Sequence, residues 1–121
     1  MRGILKFCKL KLSDGGGENM IFVCSPYRGD VIRNAEKAQL YCQMVIKSGL
    51  IPIAPHLYFP QFLDDNDPAE REAGIRAGLE LIKHCNEIWV FGKEITDGMR
   101  QEIEFARKLE KRIKYFDVIR R

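Results

Sequence analysis

Four short apolar runs, separated by stretches of helical period, constrain the fold of this chain more tightly than any other feature. Met20 to Cys24, Leu50 to Ala54, Glu87 to Phe91 and Ile113 to Phe116 have strand length, and a helix pattern occupies each interval between them. After the first run, Asp30 stands as N-cap before apolar positions 31, 32, 35, 38, 41, 42, 45 and 46, and Gly49 ends that helix. Asp67-Pro68-Ala69-Glu70 opens a second helix as N-cap, first-position proline and capping-box carboxylate, running to about His84. The third helix spans about Met99 to Lys111. Strands joined through helices of this length pair in parallel, with right-handed crossovers. The expected class is therefore α/β: a three-layer, flavodoxin-like (Rossmann-like) domain with a four- or five-stranded parallel sheet, ordered 2-1-3-4. Pro52 lacks a ladder donor, which places the second strand towards an edge.

A chain of 121 residues, 45% hydrophobic and 31% charged, holds one small core. Residues 1–19 read as a flexible leader and linker, ending in Ser13-Asp14-Gly15-Gly16-Gly17-Glu18-Asn19, and 20–121 as the domain. Within the leader, Ile4 to Leu12 is the alternative source of an added edge strand. Met1 to Leu12 is too short and too often interrupted by lysine for a signal or membrane-spanning helix. The net charge of +3 is spread among interleaved acidic and basic residues outside the tail from Lys108 to Arg121, which argues against nucleic acid as partner and suits a small anionic ligand. Cys8, Cys24, Cys42 and Cys85 show no C-x-x-C spacing and read as reduced thiols in a cytoplasmic protein. His56 and His84 are the only imidazoles and have no companions at ligand spacing, so neither a metal nor a cofactor is expected.

In an open α/β sheet, ligands occupy the crevice at the carboxyl ends of the strands where the strand order reverses. Here that crevice is bordered by Ser25 to Asp30 and by Gly92 to Glu102, the latter including Thr96, Gly98 and Met99. Ser25-Pro26-Tyr27-Arg28-Gly29-Asp30 offers a hydroxyl, an aromatic face, a guanidinium and a glycine that lets backbone approach a phosphate, although Asp30 reads first as a helix cap. The loop Pro55-His56-Leu57-Tyr58-Phe59-Pro60-Gln61-Phe62 is aromatic where polarity is usual. It is read either as an apolar wall for a planar base or as packing against the second helix or another subunit. His56 is read as a hydrogen-bonding turn residue before a general base, and Asp64 and Asp65 as solvated loop carboxylates. Glu102 is the candidate catalytic residue. No capping role explains it, its helical phase matches Ala106 rather than Glu104, and a carboxylate near a helix N-terminus is expected to be held as an anion, as a nucleophile requires.

Three segments together carry a resemblance to a known family: Ser25-Pro26-Tyr27-Arg28-Gly29, Asn86-Glu87-Ile88-Trp89-Val90-Phe91-Gly92, and Gly98-Met99 before Glu102-x-x-x-Ala106. They resemble the nucleoside 2-deoxyribosyltransferase superfamily, and within it a group of short phage and bacterial proteins that combine Ser-Pro-Tyr-Arg-Gly with Ile-Ala-Pro-His. The resemblance implies cleavage of an N-glycosidic bond, or 2-deoxyribosyl transfer, on a deoxynucleoside or its 5′-monophosphate, with Glu102 as nucleophile. It also implies an assisting acid at Glu80, phosphate contacts from Ser25, Arg28 and Thr96, and a homo-oligomer. Asn86 stands where that group more often carries Asp, leaving protonation of the departing base unassigned. The alternative is a nucleotide-binding module of the same fold without turnover.

Overall fold

A computed structural model of the chain describes residues 19–116. The leader, its alternative edge strand, Cys8 and the end of the basic tail lie outside the described residues. Seven elements alternate along the chain: β1 (Met20–Cys24), α1 (Val31–Lys47), β2 (Ile51–Ile53), α2 (Pro68–Lys83), β3 (Glu87–Phe91), α3 (Asp97–Lys108) and β4 (Arg112–Phe116). All pairings are parallel, and the four strands stand in the order β2-β1-β3-β4, the order expected from the sequence.

The direction of travel reverses after β2, which puts α1 on one face of the sheet and α2 with α3 on the other. The central strands are apolar on both sides because each face is covered. Phe22, Cys24, Ile88 and Val90 pack against Ile82, Met99, Ile103 and Ala106 of α2 and α3. Ile21, Val23, Trp89 and Phe91 turn the other way, against Tyr41 and Val45 of α1. Phe91 is the centre of that second layer, its ring 4.3 Å from Tyr41 and 5.1 Å from Phe116. At the lower edge, Glu87 accepts from the Trp89 indole at 2.8 Å and draws in Arg112 and Lys114 from β4.

Local chemistry sets the helix starts. Asp30, Asp67 and Thr96 each accept a first-turn backbone N–H, from Arg33, Ala69 and Met99 respectively. Several expectations need correction. Leu50 and Ala54 fall outside β2, which keeps three residues because it is an edge strand with Pro52 in its middle, opposite Ile21. The apolar stripe of α1 begins late, with Val31 and Ile32 both exposed. Glu70 makes no capping box: its carboxylate accepts from the Asp64 N–H at 2.6 Å, while the Asp67 N–H goes to the Asp64 carbonyl. The third helix begins at Asp97 because Thr96 caps it, and it stops at Lys108, where Glu110 turns the chain with φ of 59° into β4. Two 3₁₀ turns, Pro55–Leu57 and Phe59–Gln61, give the aromatic loop a defined path. Among the described residues no helix is long and apolar enough to cross a membrane.

Candidate functional site

The strand order reverses between β1 and β3, and a cavity of about 350 Å³ opens beside their carboxyl ends. Tyr27 and Arg28 reach it from the loop after β1, and the 55–65 loop brings His56, Phe59, Leu63 and Asp65. One face of α2 supplies Arg71, Gly74, Ile75, Gly78 and Leu79, at the spacing of a single helical stripe. Thr96, Gly98, Met99, Gln101 and Glu102 complete the lining from the start of α3.

Glu102 is the chemically unusual member. It stands in the second turn of α3, past the reach of the Thr96 cap and of the strongest part of the helix dipole. Its Oε1 is buried and has no hydrogen-bond partner among the described residues. Burial pushes its pKa up to about 7, and the neighbouring Cys24 thiol draws it only partly back. The expectation of a carboxylate held as an anion is therefore corrected: desolvation outweighs the dipole at this depth. Cys24, at the end of β1, has its Sγ 3.9 Å from the Met99 carbonyl, so the thiol lies against the first turn of the same helix. Burial, with the charge of Glu102 added, pushes that thiol well above its ordinary range and keeps it protonated.

The two loops meet through an ion pair that their sequences do not announce. Arg28 Nε lies 3.0 Å from Asp65, and Arg71 Nη1 lies 3.4 Å from the same carboxylate. Asp65 thus links the loop after β1 to α2 by two ion pairs, while its side chain stays 37% exposed. Asp64 remains exposed and caps a turn through the Asn66 N–H. Next to the ion pairs of Asp65, the rings of Tyr27 and His56 stack with centroids 5.1 Å apart. Burial lowers the pKa of His56, against the opposing pull of its hydrogen bond to the Ser25 backbone, so the ring stays neutral at pH 7. His56 thus hydrogen-bonds the Ser25 backbone from its turn, and its neutral ring is also the form that a base requires.

The remaining candidates separate by position. Glu80 is exposed on α2 and outside the cavity lining, and Lys83 and His84 engage it at 3.0 and 3.7 Å. The hydrogen bond from Lys83 lowers its pKa. Ser25 is buried beneath the lining with its Oγ unpartnered. Asp30 is the helix cap. Gly29 and Gly92, each with φ of 100°, shape the turns after β1 and β3 instead of facing the cavity. Tyr58 points outward and packs on Phe62, whereas Phe59 between them faces the cavity.

Arg71, Gly74 and Gly78 join the site without having been singled out, and Asp65 joins it after being read as a solvated loop carboxylate. Asp65, the shared partner of Arg28 and Arg71, was hidden because Arg28 is remote from it in sequence. The glycines left a legible signal, since two glycines four apart inside a helix are costly, about 1 kcal/mol each relative to alanine. Among the described residues no group of three or more His, Cys, Asp or Glu is placed to hold a metal ion. No curated protein matches the chain; a family model described as Domain of unknown function (DUF7768) matches residues 19–116.

Proposed function

The chain belongs to that family, and from this premise we propose that the cavity cleaves or transfers the N-glycosidic bond of a 2′-deoxynucleoside or its 5′-monophosphate, with Glu102 as nucleophile. The observation that carries the reading is the unpartnered, buried carboxylate oxygen of Glu102 at a ligand-sized cavity. Such an atom needs a donor or an electrophile from outside the protein. Ionised Glu102 attacks the anomeric carbon, the C–N bond breaks, and the base leaves with the bonding electron pair. A glycosyl ester on Glu102 remains, and water or a second base displaces it from the opposite side, so configuration is retained. Tyr27 and His56 supply a flat apolar wall beside the reacting carbon. Arg28 and Arg71 supply two guanidinium groups at the mouth for a 5′-phosphate, in competition with the carboxylates of Asp65, Glu70 and Asp97.

Incubation with the deoxynucleosides and their monophosphates is expected to release free base, read by chromatography, and Glu102→Gln to abolish it. Because the attacking form is the anion, the rate rises with pH through about 7. Intact substrate throughout the panel would remove the enzymatic reading. One observation favours a second reading, a nucleotide-binding module. The other cavity carboxylates are all engaged, Asp65 by two arginines, Glu70 by the Asp64 N–H and Asp97 by Arg100 at 3.3 Å, leaving no evident acid for the departing base. In that case a nucleotide raises the melting temperature and emerges unaltered.

A further inference from the structure

Gly74 and Gly78 sit one turn apart on the cavity face of α2, yet only one of them is explained by packing. A Cβ at position 74 would lie 3.3 Å from Leu63 Cδ1, so the aromatic loop uses the space that glycine leaves. A Cβ at position 78 would meet nothing within 4 Å, although Gly78 is buried. Apart from its chain neighbours and its own helix backbone, no described atom lies within 4 Å of that Cβ position, and the backbone there is ordinary helix that alanine adopts with less entropy cost. The protein thus keeps a destabilising residue beside an empty volume. That volume belongs to the cavity that also holds the stacked Tyr27 and His56 rings and the unpartnered Glu102 oxygen.

We propose that Gly78 is a base-binding position: its bare backbone is the ledge on which the flat ring of a nucleobase lies, with the Tyr27–His56 stack as a further wall. The proposal rests on the nucleoside reading above and deepens it. A ring resting on a helix backbone sits at van der Waals distance from Cα, so one added methyl occupies the plane of the ring. The β-carbon that free protein accommodates is therefore the one that bound base excludes.

Thermal melts and calorimetric titrations with 2′-deoxyadenosine and 2′-deoxycytidine, on wild type, Gly78→Ala and Gly78→Leu, separate the possibilities. Gly78→Ala is expected to melt about 4 °C higher through helix propensity while weakening both nucleosides about tenfold. Gly78→Leu, whose longer side chain enters the cavity, is expected to remove binding. A Gly78→Ala protein that melts lower than wild type, or that binds both nucleosides as wild type does, overturns the ledge and leaves the glycosidic reading in place. Weakened binding with no base released by wild type keeps the ledge and removes the glycosidic reading. Failure of wild type to bind either nucleoside overturns the ledge, and the glycosidic reading then stands or falls on base release from the 5′-monophosphates.

Discussion

A carboxylate buried as Glu102 is weakens the fold only after it loses its proton. Its ordinary pKa of 4.5 rises to about 7 in the folded state. Between those values the folded chain holds a proton that the unfolded chain has released, so stability from this group is complete at low pH and falls as pH rises towards 7. The loss amounts to about 3 kcal/mol and levels off at higher pH. Urea unfolding of wild type and Glu102→Gln from pH 4 to 8 is expected to show this slope in wild type and not in the variant; parallel curves would contradict it. Helical phase and the failure of capping pointed to Glu102 in the sequence. Its protonation was misread because desolvation depends on what the fold brings over the side chain, and no spacing rule reports that. The ion pairs of Asp65 were not legible either, since Arg28 comes within reach of it only where two loops meet.

At the scale of elements, alternating periods located every helix and strand of the described chain, while the ends depended on which polar side chain won the backbone. Thr96 is the instructive case. Its Oγ accepts from the Met99 N–H at 3.2 Å, which starts α3 at Asp97, two residues ahead of the expected Met99, and sets the phase of Glu102. Thr96→Ala is expected to lose about 1 kcal/mol of unfolding free energy and, by loosening the first turn, to reduce base release along with it. Denaturation and activity measured on the same preparation test this, and lost stability with full activity would detach the cap from the site. The capping box foreseen at Glu70 failed through the same competition. Its carboxylate found the Asp64 N–H in the preceding loop, a tertiary choice that a four-residue motif does not encode.

For the molecule as a whole, the two faces of the sheet have different duties. The α2–α3 side carries the cavity, and the α1 side is held by aromatic stacking around Phe91, which is fully buried on a central strand. Phe91→Ala is expected to lose about 3–5 kcal/mol, a large share of the 5–15 kcal/mol typical of a small domain. The measurement is the urea midpoint, and a loss under about 1 kcal/mol would show that the α1 layer repacks. The strand order was legible because parallel pairing and the three helices left few arrangements open. The glycine pair of α2 stood out in the sequence, but the wall it forms did not, because that wall exists only once α2 is laid across the sheet. Trp89, the only tryptophan of the chain, packs at a tilt beside Phe116 and under Lys114 Nζ on the α1 side. The molecule therefore has a built-in optical probe with one assignment: its emission is expected to shift on unfolding and stay constant during titration with a nucleoside, so fluorescence reads the scaffold while the ligand stays dark.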